Sequence, residues 1–287
     1  MKILIIGASG LVGGNLYEVF TVDDSCELLI GTHSQYETPS TIRYSTSDKN
    51  FPSEITNADW DVIVHTGALT HVDKCESEPE LSYELTVAST KKLLELAKRS
   101  NAKFVYTSTD YVFDGENGPY SEESSTNPLN IYGKHKLEAE NLVVEYGNSL
   151  VLRITNVYGK EFRNKNFVSR TINSVEYGQT TFEIDAPYDQ FATPVNALDV
   201  SRAIKLLVAD GKVGIYHIAS TDFMSRVQLL QCIAKGLNKK IKINPISTES
   251  LKQPAKRPLK GGLISAKFTS EYPTFEFSTV SDFLQKR

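Results

Sequence analysis

Tyr132 and Lys136 stand four residues apart in the stretch Asn127-Pro128-Leu129-Asn130-Ile131-Tyr132-Gly133-Lys134-His135-Lys136. Asn127-Pro128 suits a turn just before a helix, and a helix over residues 130–145 puts both side chains on one face. A phenol there can protonate a carbonyl oxygen as a hydride reaches the carbon, if its pKa, ordinarily about 10, falls toward neutrality. A neighbouring ammonium lowers it by favouring the phenolate. The same lysine can hold the ribose of a nicotinamide. The spacing alone also fits a surface tyrosine beside a solvated lysine, so what accompanies it matters. Lys134 turns to another face, toward solvent. Thr107-Ser108-Thr109-Asp110-Tyr111 closes an apolar strand, and ligands bind at the ends of parallel strands in open sheets. A hydroxyl there can hydrogen-bond a substrate carbonyl or the tyrosine. Thr109 is the choice and Ser108 its rival. In the plainer reading these hydroxyls satisfy backbone groups in a turn.

An element able to hold a cofactor opens the chain. The β-branched run over residues 2–6 leads directly into Gly7-Ala8-Ser9-Gly10-Leu11-Val12-Gly13. Glycine permits a positive φ and lets a pyrophosphate approach the backbone. The helix that follows offers free N–H groups and the positive end of its dipole. Gly7, Ser9, Gly10 and Gly13 are therefore expected around the pyrophosphate, with Thr107, Tyr132 and Lys136 at the nicotinamide end. Glycine-rich turns are common, but this one follows the first strand of a βαβ unit. The acid that binds the adenosine 2′-hydroxyl of NAD ordinarily ends the second strand. Here that strand ends Gly31-Thr32-His33-Ser34. Thr32, His33 and Ser34 could donate to a 2′-phosphate, which favours NADP(H) over NAD(H), although no arginine stands there. His33 also fits a solvated loop residue.

The elements that must position these groups alternate along the chain. Strands are expected over residues 2–6, 27–31, 42–45, 61–65, 103–108 and 149–154. Helices are expected after the glycine turn, over 82–99 as one long segment, and over 130–145. This alternation points to an α/β fold, a Rossmann-type doubly wound parallel sheet with a smaller C-terminal substrate lobe. Beyond Gly159 the pattern loosens. Residues 193–208 read as a strand passing into a helix, 214–219 as a strand, 223–237 and 275–286 as helices, and 254–262 as a loop. The expected division is a dinucleotide-binding domain over 1–158, with part of 193–219 returning to it, and a lobe made of 159–192 and 220–287.

Composition limits the partners. The chain has 287 residues, with 31 Lys plus Arg against 35 Asp plus Glu, a formal net charge of −4. A nucleic-acid partner would ordinarily call for a basic excess. Without an 18-residue apolar run no membrane span is expected, and a strand starting at Ile3 leaves no room for a signal peptide. Cys26, Cys75 and Cys232 lie far apart and read as reduced thiols of a cytoplasmic protein. His71 and Cys75 are too few for a zinc site, and no metal is expected. Lys239, Lys240 and Lys242 read as a solvated face.

Together these residues resemble the extended short-chain dehydrogenase/reductase family, and within it the dTDP-4-dehydrorhamnose reductases. The likeness lies in Ser108-Thr109-Asp110-Tyr111-Val112-Phe113-Asp114-Gly115, in Val72-Asp73-Lys74-Cys75-Glu76-Ser77-Glu78-Pro79, and in the stretch around Tyr132. Gln190-Phe191-Ala192-Thr193-Pro194 and Lys256-Arg257-Pro258 resemble later family segments more loosely. The resemblance implies a reductase that takes a nucleotide-linked 4-keto-6-deoxysugar to its 4-hydroxy product. It implies Tyr132 as proton donor, Lys136 as its partner and Thr109 as substrate contact. It also implies Gly10, Leu11 and Val12 on the pyrophosphate, Ala68, Leu69 and Thr70 along the cofactor and Asp110 on the sugar, and a homodimer by family habit. Phosphate contact by Lys256 or Arg257 would suit a nucleotide diphosphate.

Two features keep rivals in view. Asn156 stands where these reductases often carry tryptophan, and asparagine there contacts substrate in nucleotide-sugar 4-epimerases. The chain also resembles the regulatory beta subunit of methionine adenosyltransferase, which implies binding of NADP without turnover. Tyr111 stands where a dehydratase would need its second acid, which argues against water elimination.

Overall fold

A computed structural model describes residues 1–38, 40–178 and 182–286. The first apolar run is β1 (Lys2–Ile6), followed by α1 (Leu11–Thr21), β2 (Leu28–His33), β3 (Thr41–Arg43), α2 (Ser53–Thr56) and β4 (Val62–His65). Then come α3 (Val72–Ser77), α4 (Pro79–Tyr83), a π-helical turn (Glu84–Ala88), α5 (Ser89–Ser100), β5 (Lys103–Thr109), α6 (Ile131–Tyr146) and β6 (Ser149–Ile154). The rest holds α7 (Phe167–Tyr177), β7 (Glu183–Pro187), β8 (Phe191–Ala192), α8 (Ala197–Ala209), β9 (Gly214–His217), β10 (Met224–Ser225), α9 (Arg226–Gly236), β11 (Lys242–Ile246), α10 (Ala266–Glu271) and α11 (Val280–Gln285).

Among the described residues, seven strands form one sheet in the order β3-β2-β1-β4-β5-β6-β9. Every neighbouring pair is parallel. The order reverses between β1 and β4, which opens a crevice at the carboxyl ends of those two strands. Alternating side chains send each strand into two cores. On one face Ile3, Ile5, Val62, Val64, Leu150 and Leu152 pack with Leu16 and Phe20 of α1 and Ile204 and Leu207 of α8. On the other, Leu4, Ile6, Ile63, Phe104 and Val151 pack with Leu93 of α5 and Ala139 and Val143 of α6. The doubly wound sheet expected from the alternation is thus present, and residues 197–217 return to it through α8 and β9.

The long helix expected over 82–99 is present, while two other local expectations need correction. That helix runs from α4 into α5 through the π-helical turn, with α-helical φ and ψ on both sides of it. There Ser89 Oγ donates to Leu85 O at 2.9 Å and Thr90 Oγ1 to Thr86 O at 2.6 Å, hydroxyls that take carbonyls the helical ladder would use. The helix over 223–237 begins later, because Met224–Ser225 pairs antiparallel with Phe191–Ala192 and Ser225 then caps α9. The last helix is short. Thr279 and Asp282 form a capping box at its start, and Phe275 and Phe277 stay outside it, packed on Phe268. Residues 220–287 contribute to two cores. Phe268 belongs to the core of the main sheet, whereas Val280 and Leu284 join Tyr158, Val168, Ile172, Leu229 and Ile233 in a separate cluster. No helix among the described residues is long and apolar enough to cross a membrane.

Candidate active site

The glycine turn is held by the strands on either side of it. Gly7 has φ +87°, and its N–H donates to Thr32 Oγ1 of β2 at 3.1 Å. Thr66, just past β4, donates through Oγ1 to Ile6 O at 2.8 Å. A Cβ on Gly13 would strike Gly7 O, so this glycine lets α1 start directly against the turn. Gly10 is the N-cap of α1, with no side-chain cap and no acid in the first turn. Ser9, Leu11 and Val12 are half-buried around it. The first N–H groups of an eleven-residue helix therefore face the crevice beside a surface shaped by glycine, and this fits a dinucleotide pyrophosphate. Ala68 and Leu69, half-buried, and Thr70, exposed, leave β4 along the same crevice.

Thr32 and His33 do not meet the expectation of donors to a 2′-phosphate. Thr32 is buried and serves the turn. His33 is also buried, and its Nδ1 lies 2.8 Å from Thr41 Oγ1 of β3. Inward-facing positions at the end of β2 are filled by the protein itself, and Ser34 is the exposed one of the three.

The proton-transfer group assembles at the end of β5 and the start of α6. Asn130 caps α6, its Oδ1 accepting Gly133 N–H at 2.9 Å, and its Nδ2 donates to Lys256 O at 2.7 Å. Glu76 Oε2 accepts the Ile131 N–H at 3.0 Å. Tyr132 and Lys136 follow on successive turns. Lys136 is buried, with Nζ donating to Thr107 O at 2.5 Å and lying 4.1 Å from the centre of the Tyr106 ring. Burial pushes its pKa down to about 7, against an upward pull from Glu140 and Cys75. Burial also holds the Tyr132 phenol above its usual pKa, with the Thr109 side chain pulling the other way. Burial outweighs the Thr109 contact at the phenol, while the Lys136 ammonium donates to the Thr107 carbonyl. Thr109 Oγ1 accepts Tyr111 N–H at 3.2 Å and lies 3.3 Å from Asp110 Oδ1. Ser108 Oγ is buried without a partner. Lys134 is exposed, as expected.

The expected substrate residues divide. Asn156 sits just past β6 at φ +41°, exposed, with Oδ1 accepting from Arg226 Nη2 at 3.3 Å. Asp110 is turned inward. Its Oδ2 accepts from Thr155 Oγ1 at 2.7 Å and from Gly262 N–H at 3.1 Å, and burial raises its pKa. It ties the end of β5 to Thr155 past β6 and to the 254–262 loop. Arg257 is paired with Asp73 at 2.8 Å. Lys256 is exposed. Sequence reasoning missed Gly133, where a Cβ would strike Tyr111 O, and it missed Arg226 and Arg163. A glycine inside an otherwise helical pattern was the available signal for the first. Among the described residues no group of three or more His, Cys, Asp or Glu side chains could hold a metal ion.

A model of the RmlD substrate binding domain matches residues 1–281. The chain is 31% identical over 243 residues to methionine adenosyltransferase 2 subunit beta of Bos taurus, covering 83% of this chain and 72% of that one. It is 31% identical over 245 residues to a dTDP-4-dehydrorhamnose reductase of Sinorhizobium fredii, covering 79% and 81%. A structure of dTDP-4-dehydrorhamnose reductase from Bacillus anthracis in complex with NADP superposes with a TM-score of 0.81 at 25% identity, covering 100% of this chain and 98% of that one.

Proposed function

The chain belongs to the RmlD substrate binding domain family of extended short-chain dehydrogenase/reductases, and from that membership we propose that it is an NADP(H)-using reductase of a nucleotide-linked 4-keto-6-deoxysugar. The observation that carries this reading is the meeting of Thr109, Tyr132 and Lys136 at the carboxyl end of β5, on the side of the sheet where the glycine turn follows β1. In this reading Gly7, Gly10, Leu11 and Val12 hold the cofactor's pyrophosphate through the backbone, and Ala68, Leu69 and Thr70 flank it. When bound, a reduced nicotinamide supplies the hydride.

The chain's own residues supply the rest. Tyr132 gives its phenolic proton to the oxygen forming at C4, and Thr109 hydrogen-bonds that oxygen. A phenol held above its usual pKa keeps its proton until an acceptor of developing negative charge is beside it. Lys136, poised near neutrality, takes up or releases a proton at Nζ at little cost, and can restore the phenol's proton between turnovers.

The test is NADPH consumption with a panel of dTDP-linked 4-keto-6-deoxysugars, with product stereochemistry read by NMR. Tyr132→Phe should lower kcat by about 10²–10⁴-fold and leave NADP affinity within about threefold. Interconversion of 4-epimers without net NADPH consumption would replace reduction by epimerisation, the reading Asn156 favours. A second reading rests on the 31% identity to methionine adenosyltransferase 2 subunit beta, namely a subunit that binds NADP without turning it over. Tight NADP binding with no turnover of any keto sugar would establish that reading instead.

A further inference from the structure

The end of β2 carries neither an acid nor an arginine, yet the fold brings two cations there from the loop after β6. Arg163 Nη2 comes within 3.7 Å of the point where a Cβ on Gly10 would stand, directly over the phosphate turn. Its Cζ lies 5.5 Å from the centre of the Tyr36 ring. Lys165 Nζ lies 4.4 Å from the same ring centre and donates to Tyr36 Oη at 3.1 Å. Tyr36 is two residues beyond Ser34. The loop is anchored where it leaves β6, since Asn15 Nδ2 of α1 donates to Lys160 O at 2.9 Å.

Among the described residues no carboxylate pairs with Arg163 or Lys165. Arg163 Nε is buried without any partner. The loop's own acid, Glu161, is committed to Asn166, accepting from its N–H at 2.5 Å and from Nδ2 at 2.9 Å. Two cations rest against an aromatic ring beside an uncapped helix N-terminus. Phosphate oxygens would replace that weak contact with charge-assisted hydrogen bonds.

Given the dinucleotide site on which the proposed function rests, we propose that residues 160–166 form a basic strap for the cofactor's phosphates. Arg163 holds the pyrophosphate over Gly10. Lys165, seated on Tyr36 beside the exposed Ser34, holds the adenosine 2′-phosphate and makes the site select NADP(H) over NAD(H). This assigns the selectivity to a loop more than a hundred residues away from β2.

Calorimetric titration of the full chain with NADP⁺, NAD⁺ and 2′,5′-ADP tests the proposal, with a thermal melt of each variant as the check on folding. The wild type should prefer NADP⁺. Lys165→Met should lose about tenfold in affinity for NADP⁺ and 2′,5′-ADP and stay within about twofold for NAD⁺, and Lys165→Arg should restore NADP⁺ binding. Arg163→Met should weaken both dinucleotides by about tenfold. An NADP⁺ to NAD⁺ ratio unchanged in Lys165→Met would overturn the strap and leave the dinucleotide site standing. A wild type that prefers NAD⁺ would overturn the assignment of Lys165. A wild type that binds neither dinucleotide would overturn the strap and the proposed function together.

Discussion

Burial takes Lys136 close to losing its proton, and this has a consequence for stability. Its folded pKa is pushed down to about 7, whereas an unfolded lysine titrates near 10.4. Between those two values the unfolded chain binds a proton that the folded chain has released, so stability rises with pH across that window. Below about pH 7 both states carry the proton, and the full cost of a buried charge opposes folding. Lys136→Met should therefore raise the melting temperature by about 2 °C or more at pH 6, less at pH 10, while abolishing turnover. A variant that melts below the wild type at pH 6 would show that the bond from Nζ to Thr107 O outweighs the buried charge. At this scale the sequence was informative where geometry is local. Tyr132 and Lys136 share a helix face by their spacing, and Thr109 ends a strand. It was uninformative where the partner is remote. Nothing near Asp110 announces Gly262, nothing near Arg257 announces Asp73, and nothing near β2 announces Arg163.

At the scale of elements, the catalytic helix is placed by a glycine. Alanine inside a helix ordinarily gains about 1 kcal/mol over glycine. At position 133 the added Cβ would strike the Tyr111 carbonyl, and the backbone on both sides must give way. Gly133→Ala should therefore cost about 1–3 kcal/mol and more than tenfold in kcat, with a far-ultraviolet spectrum unchanged from wild type. An active Gly133→Ala enzyme would mean that α6 can shift without disturbing Tyr132. The same distinction between local and remote decides which elements could be read in advance. The strands β1, β4 and β6 are rich in apolar residues, because both faces of the parallel sheet are covered. β8 and β10 are two residues each and exist by pairing with each other, and β7 pairs with β11 across more than fifty residues. The π-helical turn depends on hydroxyls whose effect on a helix shows only once their carbonyl partners are known.

Across the whole molecule, the catalytic helix is coupled to the far half of the sheet by one buried ion pair. Arg153 of β6 reaches Glu140 of α6 through Nη2 at 2.7 Å and through Nε at 3.1 Å and 3.2 Å. His217 of β9 lies 3.4 Å from Arg153 Nη1, and the Phe113 ring covers the guanidinium. Both side chains of the pair are almost fully buried, at 4% and 1% exposure. Removing one charge leaves the other without water or partner, a loss of about 3–5 kcal/mol, whereas replacing both by apolar groups of similar volume is close to neutral. Glu140→Leu should therefore lower the melting temperature by about 6–15 °C, and adding Arg153→Met should recover more than half of that. The recovered double variant should still be altered in function. Glu140 is the larger of the two influences that hold the Lys136 pKa up, so without it Lys136 titrates lower. The limb of the pH–rate profile that belongs to Lys136 should then move to lower pH in the folded double variant. A double variant no more stable than Glu140→Leu would show that Arg153 is held chiefly by His217 and Phe113. A recovered fold with an unmoved profile would separate the ion pair from the site it adjoins.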